Sequence, residues 1–154
     1  MEAFKVYIDR LKGGEVCALK GEFAPTFLEI DEPELKFHKP VAIKGEAYVT
    51  DDHLVVHFSA VAFAEMPCAV CNELFEYKLS CKDFYHTEPL SDIPSAVFEI
   101  GPVVREALLV ELPHAAECNG GKCLKRDTIT PYMRSEKRSS QSTHFPFSDI
   151  DLKN

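Results

Sequence analysis

The sequence predicts an α+β fold: an antiparallel β-rich sheet or partly open barrel with one covering helix near residues 102–112 and a flexible C-terminal tail. Three observations carry that expectation. Residues 34–86 hold long segments of β-type pattern divided by short turn signals. One stretch, PVVREALLVEL, has helical spacing and a proline at its start, and another proline follows it. After Lys125 the composition turns polar and Ser/Thr-rich.

In chain order, FKVYID at 4–9 reads as a first strand by its period of two and its β-branched and aromatic content. Residues 13–30 mix Gly13, Gly14, Gly21 and Pro25 with short apolar pieces, which predicts loops and a short strand. From Glu34 follow three β segments: ELKFHKPVAIKGEAYVT, HLVVHFSAVAFAEM and LFEYKLSCKDFYH. Asp51 and Asp52 form one turn between them, and PCAVCN forms the other, so an antiparallel meander is expected. Alternation over 54–63 puts Val56 and Phe58 on the face opposite Val55 and His57, making His57 a face residue and not a ligand.

Residues 87–101 contain Pro89 and Pro94 and read as a connecting loop with one extended piece at AVFEI. In the helix that follows, Pro102 sits in the first turn, where its missing amide hydrogen costs nothing. Val104, Leu108 and Glu111 keep helical spacing, Val103, Ala107 and Val110 widen the apolar face, and Pro113 ends it. The predicted organisation is a single β-rich domain over 1–124 carrying both cysteine pairs, then a polar basic tail over 125–154. Phe145 and Phe147 are the expected anchor of that tail.

The 154 residues suit one domain, and 45% hydrophobic content with 11 phenylalanines supplies a core. The opening MEAFKVYIDR lacks the basic start and apolar run of a signal peptide, and no segment approaches the roughly 20 apolar residues of a membrane span. A cytoplasmic protein without a membrane partner is expected. Charge is uneven: residues 1–118 carry net −11 and residues 119–154 net +3. The acidic body repels phosphate, so any nucleic-acid contact is confined to a patch or passes through a protein partner.

Six cysteines in a reducing compartment point to metal, redox chemistry or core packing before disulfides. Cys68 and Cys71 form a CxxC turn, and Cys118 and Cys123 form a second close pair in CNGGKC. Two such loops can deliver four thiolates to one tetrahedral ion, usually zinc. Gly120 and Gly121 permit the positive-φ turn that lets the second pair converge, and Lys122 softens the charge of a thiolate cluster. Cys17 and Cys81 have no close partner and read as small buried hydrophobes. The six histidines form no HxxxH or HExxH array, although His86 or His114 could replace one cysteine in a mixed site. No GxSxG, Walker or GxGxxG motif is present, so no catalytic residue is assigned. A thiol oxidoreductase using Cys68 and Cys71 is the alternative, but a reactive CxxC opens a helix, whereas this one falls between strands.

The runs CAVCNELF at 68–75, EALLVELP at 106–113, ECNGGKC at 117–123 and FPFSDIDLK at 145–153 occur in an order that resembles the YceD family, the large ribosomal RNA subunit accumulation proteins. Members of that family carry a C-x-R-C turn after a β-rich half, then an acidic loop, a leucine-rich helix ending in proline, a further cysteine and a P-F-containing tail. The chain departs from that pattern at Val70, where arginine is usual, and at Asp149 and Asp151, where small or apolar residues are common. The resemblance implies a noncatalytic factor supporting accumulation or processing of large-subunit ribosomal RNA in bacteria or plastids. Taken with the charge split, it leads to an acidic body that docks on a ribosomal or rRNA-processing protein. Lys122, Lys125, Arg126, Arg134, Lys137 and Arg138 are then the candidate contacts to RNA phosphate.

Overall fold

The computed structural model describes residues 4–132. Eight strands run in the order β1 (Lys5–Tyr7), β2 (Cys17–Phe23), β3 (Asp31–Glu32), β4 (Leu35–Phe37), β5 (Val41–Thr50), β6 (His53–Pro67), β7 (Leu74–Pro89) and β8 (Val97–Glu99). Helix α1 (Gly101–Val110) follows, then two single turns, α2 (Cys118–Gly121) and α3 (Arg126–Ile129). The fold is α+β and its antiparallel sheets do not close into a barrel.

The meander β5–β6–β7 is the spine, as the sequence predicts. One edge of β6 pairs with β7 from end to end, while the other edge is shared, with β5 beside residues 53–61 and β4 beside Ala64 and Glu65. The first predicted β segment is therefore two strands, broken at Lys39–Pro40. Proline has no amide to give a ladder. Strand β2 pairs outside β5, so residues 17–23 form a full strand in the region where loops and only a short strand are expected.

Burial follows strand parity. On β6 the even positions Leu54, Val56, Phe58, Ala60, Ala62, Ala64 and Met66 are buried, while His57 lies on the opposite face from Val56 and Phe58, as expected, and that face is the outward one. Val55 is the exception, an odd position that is also buried. On β7 the parity changes midway. Leu79 and Cys81 face inward, the register slips one residue opposite Ser59, and beyond it Phe84 packs against the core. Asp83 takes the extra position with φ 49 and donates its amide to Ser59 Oγ at 3.1 Å. A bulge of this kind re-aims a strand without ending it. Opposite it, Gly45 pairs with Phe58, and a Cβ there would collide with the His57 carbonyl and Phe58 Cα. Only glycine permits that approach.

The predicted first strand is short. Lys5–Tyr7 pairs with β8 in a separate two-stranded sheet, and the chain then turns through a 3-10 segment, Ile8–Arg10. Ile8 and Leu11 are both buried at a spacing of three, which a turn satisfies and a strand does not. Helix α1 covers the sheet with Val103, Val104, Ala107 and Leu108, packing on β6, β7 and the 3-10 turn Pro25–Leu28. Arg105 Nε donates to the Leu28 carbonyl at 2.7 Å, fixing that turn to the helix. Two expectations are corrected. Val110, assigned to the apolar face, is 76% exposed on the last turn. Cys17, expected to be buried, is half-buried because it starts the edge strand β2, whereas Cys81 is buried as expected.

Candidate metal centre

The CxxC is the tip of the β6–β7 hairpin. Cys68 continues the inward even row of β6, its amide bonds the Glu73 carbonyl at 2.9 Å, and Asn72, at φ 60, returns its amide to the Cys68 carbonyl. The second pair comes from the chain leaving α1. Here Cys118–Gly121 is helical only in name, since Asn119, Gly120 and Gly121 all hold positive φ of 56°, 66° and 88°. The two glycines have the role assigned to them, and an asparagine, the residue that best tolerates this conformation after glycine, extends the turn.

The loops are sewn together by backbone. Ala69 donates to the Ala116 carbonyl at 2.8 Å, and the Cys118 amide donates to Cys68 Sγ at 3.3 Å, beside a second amide, Val70, at 3.4 Å. All four sulfurs of Cys68, Cys71, Cys118 and Cys123 lie within 4.8 Å of one another, with Cys71 and Cys118 3.8 Å apart. Four sulfurs at tetrahedral positions about 2.3 Å from an ion would be about 3.8 Å apart. The set therefore fits a metal ion, and no two of the sulfurs are bonded to each other. Cys68 and Cys123 are buried and the other two half-buried.

The thiols differ in acidity. Burial pushes the Cys68 thiol up, but the backbone donors of Cys118, Cys71 and Val70 and the Cys71 thiol outweigh it and bring the group down to about 6. Cys118 is pushed up to about 12 by the adjacent Cys123, by burial and by the thiols of Cys68 and Cys71. For Cys71 the Glu73 backbone draws the value down, yet burial and the thiols of Cys68 and Cys123 leave it raised. Four sulfurs in one place favour one thiolate and resist further ionisation, unless a cation supplies the compensating charge.

The basic residues assigned to RNA are divided. Lys125 bonds Glu73 at 3.1 Å and Arg126 approaches Glu117 at 3.4 Å, so both are engaged by acids of the two cysteine loops. Glu73, and with it the nearby Cys71 and Cys123, raises the Lys125 pKa. Lys122 is exposed. Arg134, Lys137, Arg138, Phe145 and Phe147 lie outside the described residues. Neither suggested histidine joins the cluster: His86 pairs with Glu88 at 3.0 Å on β7, and His114 is exposed. Sequence reasoning missed Glu73 and Glu117. Their signal was position, one just after Cys71 and one just before Cys118, facing a Lys-Arg pair just after Cys123.

No family model, curated protein or solved structure matches the chain. Among the described residues, no helix is long and apolar enough to cross a membrane.

Proposed function

We propose that this chain is a noncatalytic cytoplasmic factor that supports accumulation or processing of large-subunit ribosomal RNA, binding a ribosomal or rRNA-processing protein or ribonucleoprotein. One zinc ion on Cys68, Cys71, Cys118 and Cys123 holds the two loops as a docking knob. The observation that carries the reading is the closed four-sulfur set: it joins the CxxC turn and the CNGGKC turn, two runs on which the YceD resemblance rests. A site filled by four protein thiolates leaves no open position for substrate, as in structural zinc sites. Ion pairs from Glu73 and Glu117 hold Lys125 and Arg126 against this knob, where they stand ready to touch RNA phosphate. The test is depletion of the protein followed by sedimentation of ribosomal particles. A lowered ratio of large to small subunits is expected, and an unchanged ratio sinks the reading.

One observation favours the oxidoreductase alternative: the Cys68 thiol at about 6 is acidic enough to be a thiolate at neutral pH. Its amides come from Val70 at the hairpin tip and from Cys118 at the start of a single irregular turn, not from the N-terminus of a regular helix. Catalysed reduction of insulin disulfides by the metal-free protein would favour that alternative, and stoichiometric zinc released by a thiol-blocking reagent favours the structural site.

A further inference from the structure

On the outward face of the large sheet two lysines lie side by side, with Glu22, Glu46 and Asp83 around them. Lys20 on β2 pairs directly with Lys44 on β5, and Lys44 pairs with Ser59 on β6, which faces the bulge of Lys82 and Asp83 on β7. Like charges directly opposite each other on neighbouring strands are unfavourable. Among the described residues, neither Lys20 nor Lys44 has an acidic partner within ion-pair distance. Glu22 and Glu46 share the face but sit in the rows on either side of the lysines.

Next to this row, His57 and Tyr85 pair across β6 and β7 and stack with ring centroids 4.0 Å apart at 6°. Asp83 lies 3.3 Å from His57 Nε2, which holds the imidazole in place, and Tyr85 is still 60% exposed. Among the described residues, this exposed tyrosine backed by a parallel ring is a rigid aromatic surface whose outer face has no partner. On the other side of the lysine row lies a shallow trough of about 330 Å³ floored by Gly21, Ala42 and Val61. The face thus offers adjacent ammonium groups, a flat ring and a low floor.

We propose that this face binds a short single strand of RNA, with a base stacked on Tyr85 and the phosphodiester backbone crossing Lys20 and Lys44. The adjacent ammonium groups of Lys20 and Lys44 favour a phosphate between them, and the open ring selects an unpaired base, since a duplex keeps its bases stacked on one another. Glu22, Glu46 and Asp83 around the two lysines, and the acidic body beyond them, repel phosphate, which confines the backbone contact to Lys20 and Lys44 and disfavours long duplexes. The choice of RNA over DNA rests on the ribosomal reading above. The surface itself is distinct from the cysteine loops.

The experiment is fluorescence anisotropy of labelled U12 RNA over a salt series, using the full-length protein. Tyr85→Ala is expected to weaken binding about tenfold, the loss of one stacked base. The double variant Lys20→Gln, Lys44→Gln should reduce the salt slope by about 1.4, two single-strand phosphate contacts. Lys44→Arg should keep both affinity and slope, and Tyr85→Leu, which retains apolar bulk, should bind as weakly as Tyr85→Ala. Thermal melts confirm that each variant folds. The proposal is overturned if U12 does not bind, if a blunt duplex of equal length binds as well, or if these variants bind like wild type. Loss of a co-purifying protein with RNA binding unchanged also overturns it. U12 binding that depends on Tyr85, in a protein whose depletion leaves the subunit ratio unchanged, supports this surface while removing the ribosomal reading.

Discussion

The two ends of the β6–β7 hairpin are held by different physics. At the His53–Pro89 end, Leu54, Val56 and Phe58 are within 1% of full burial, and Phe58 meets Phe84 at 5.3 Å with α1 covering the sheet. At the Pro67–Leu74 end, only Cys68 is buried within the turn and Leu74 is 54% exposed, while the chain that covers the tip contributes Cys123 and a few polar bonds. Apolar area orders the first end. The second has too little of it, and four sulfurs take its place. One strand pair can thus draw its order from two independent sources, and perturbing either should leave the other largely standing.

The sharpest way to break that comparison is to remove the ion. We expect purified protein to hold about one zinc, and Cys118→Ser to lose it. Structural zinc contributes about 10 to 16 kcal/mol of apparent binding energy in small peptides, and only part of that reaches the stability of a domain with its own core. Hydrogen exchange is the measurement. Chelation should strip protection from residues 68–74 and 113–124 and leave the amides of β5 and the first half of β6 protected. Collapse of protection everywhere would show that the two ends are one cooperative unit.

The reverse experiment attacks the core end. Phe58→Ala empties a site that is 1% exposed, for an expected loss of about 3–5 kcal/mol in denaturant unfolding. Metal affinity of the folded fraction should not change. Leu108→Ala, under the same sheet from α1, is expected to cost about 2–5 kcal/mol. Val110→Ala, on the last turn and 76% exposed, should fall within about 0.5 kcal/mol of wild type.

Much of this division was legible in the sequence. The meander could be read because residues 54–63 alternate, and their parity put Phe58 and His57 on opposite faces before any register was known. Both cysteine pairs were visible as close pairs on turn-forming residues, and convergence needed only that the helix return the chain to the hairpin tip. What could not be read were the features set by partners distant in sequence. The bulge at Asp83 exists because β7 must re-aim opposite Ser59, and nothing local in DFYH announces it. Lys20 and Lys44 became neighbours only through a β2–β5 register that glycine-rich residues 13–30 obscured. Val110 satisfied helical spacing, yet a spacing cannot say where the covering surface ends.

Thiol reactivity separates the ends at smaller scale. Burial, helped by the nearby Glu111 carboxylate, raises the Cys81 thiol above its ordinary value, while Cys68 stands at about 6. In metal-free protein at neutral pH, iodoacetamide should therefore label Cys68 first, with Cys81 labelled only on unfolding. Peptide mass mapping reads the order. Equal labelling of Cys81 and Cys68 in the folded protein would mean that the core end opens as readily as the tip.

The smallest expected effect concerns Lys125, which joins α3 to the hairpin tip through Glu73 at 3.1 Å and lies near Cys71 and Cys123. Four thiolates around a divalent ion carry an excess negative charge, and an ammonium group beside them lowers the cost of that excess. The contribution is limited because the Lys125 side chain is 59% exposed and Glu73 is 72% exposed, so water and salt screen the pair. Lys125→Gln should speed zinc extraction by a chelator by no more than about fivefold, the ceiling an exposed pair reaches. Adding salt should shrink the difference between variant and wild type, and the denaturant midpoint of the core should not move. A larger acceleration that ignores salt would place Lys125 in the packing of the metal loops and not at their rim. An unchanged rate at low salt would leave the sulfurs and their amide donors as the whole of what holds the tip.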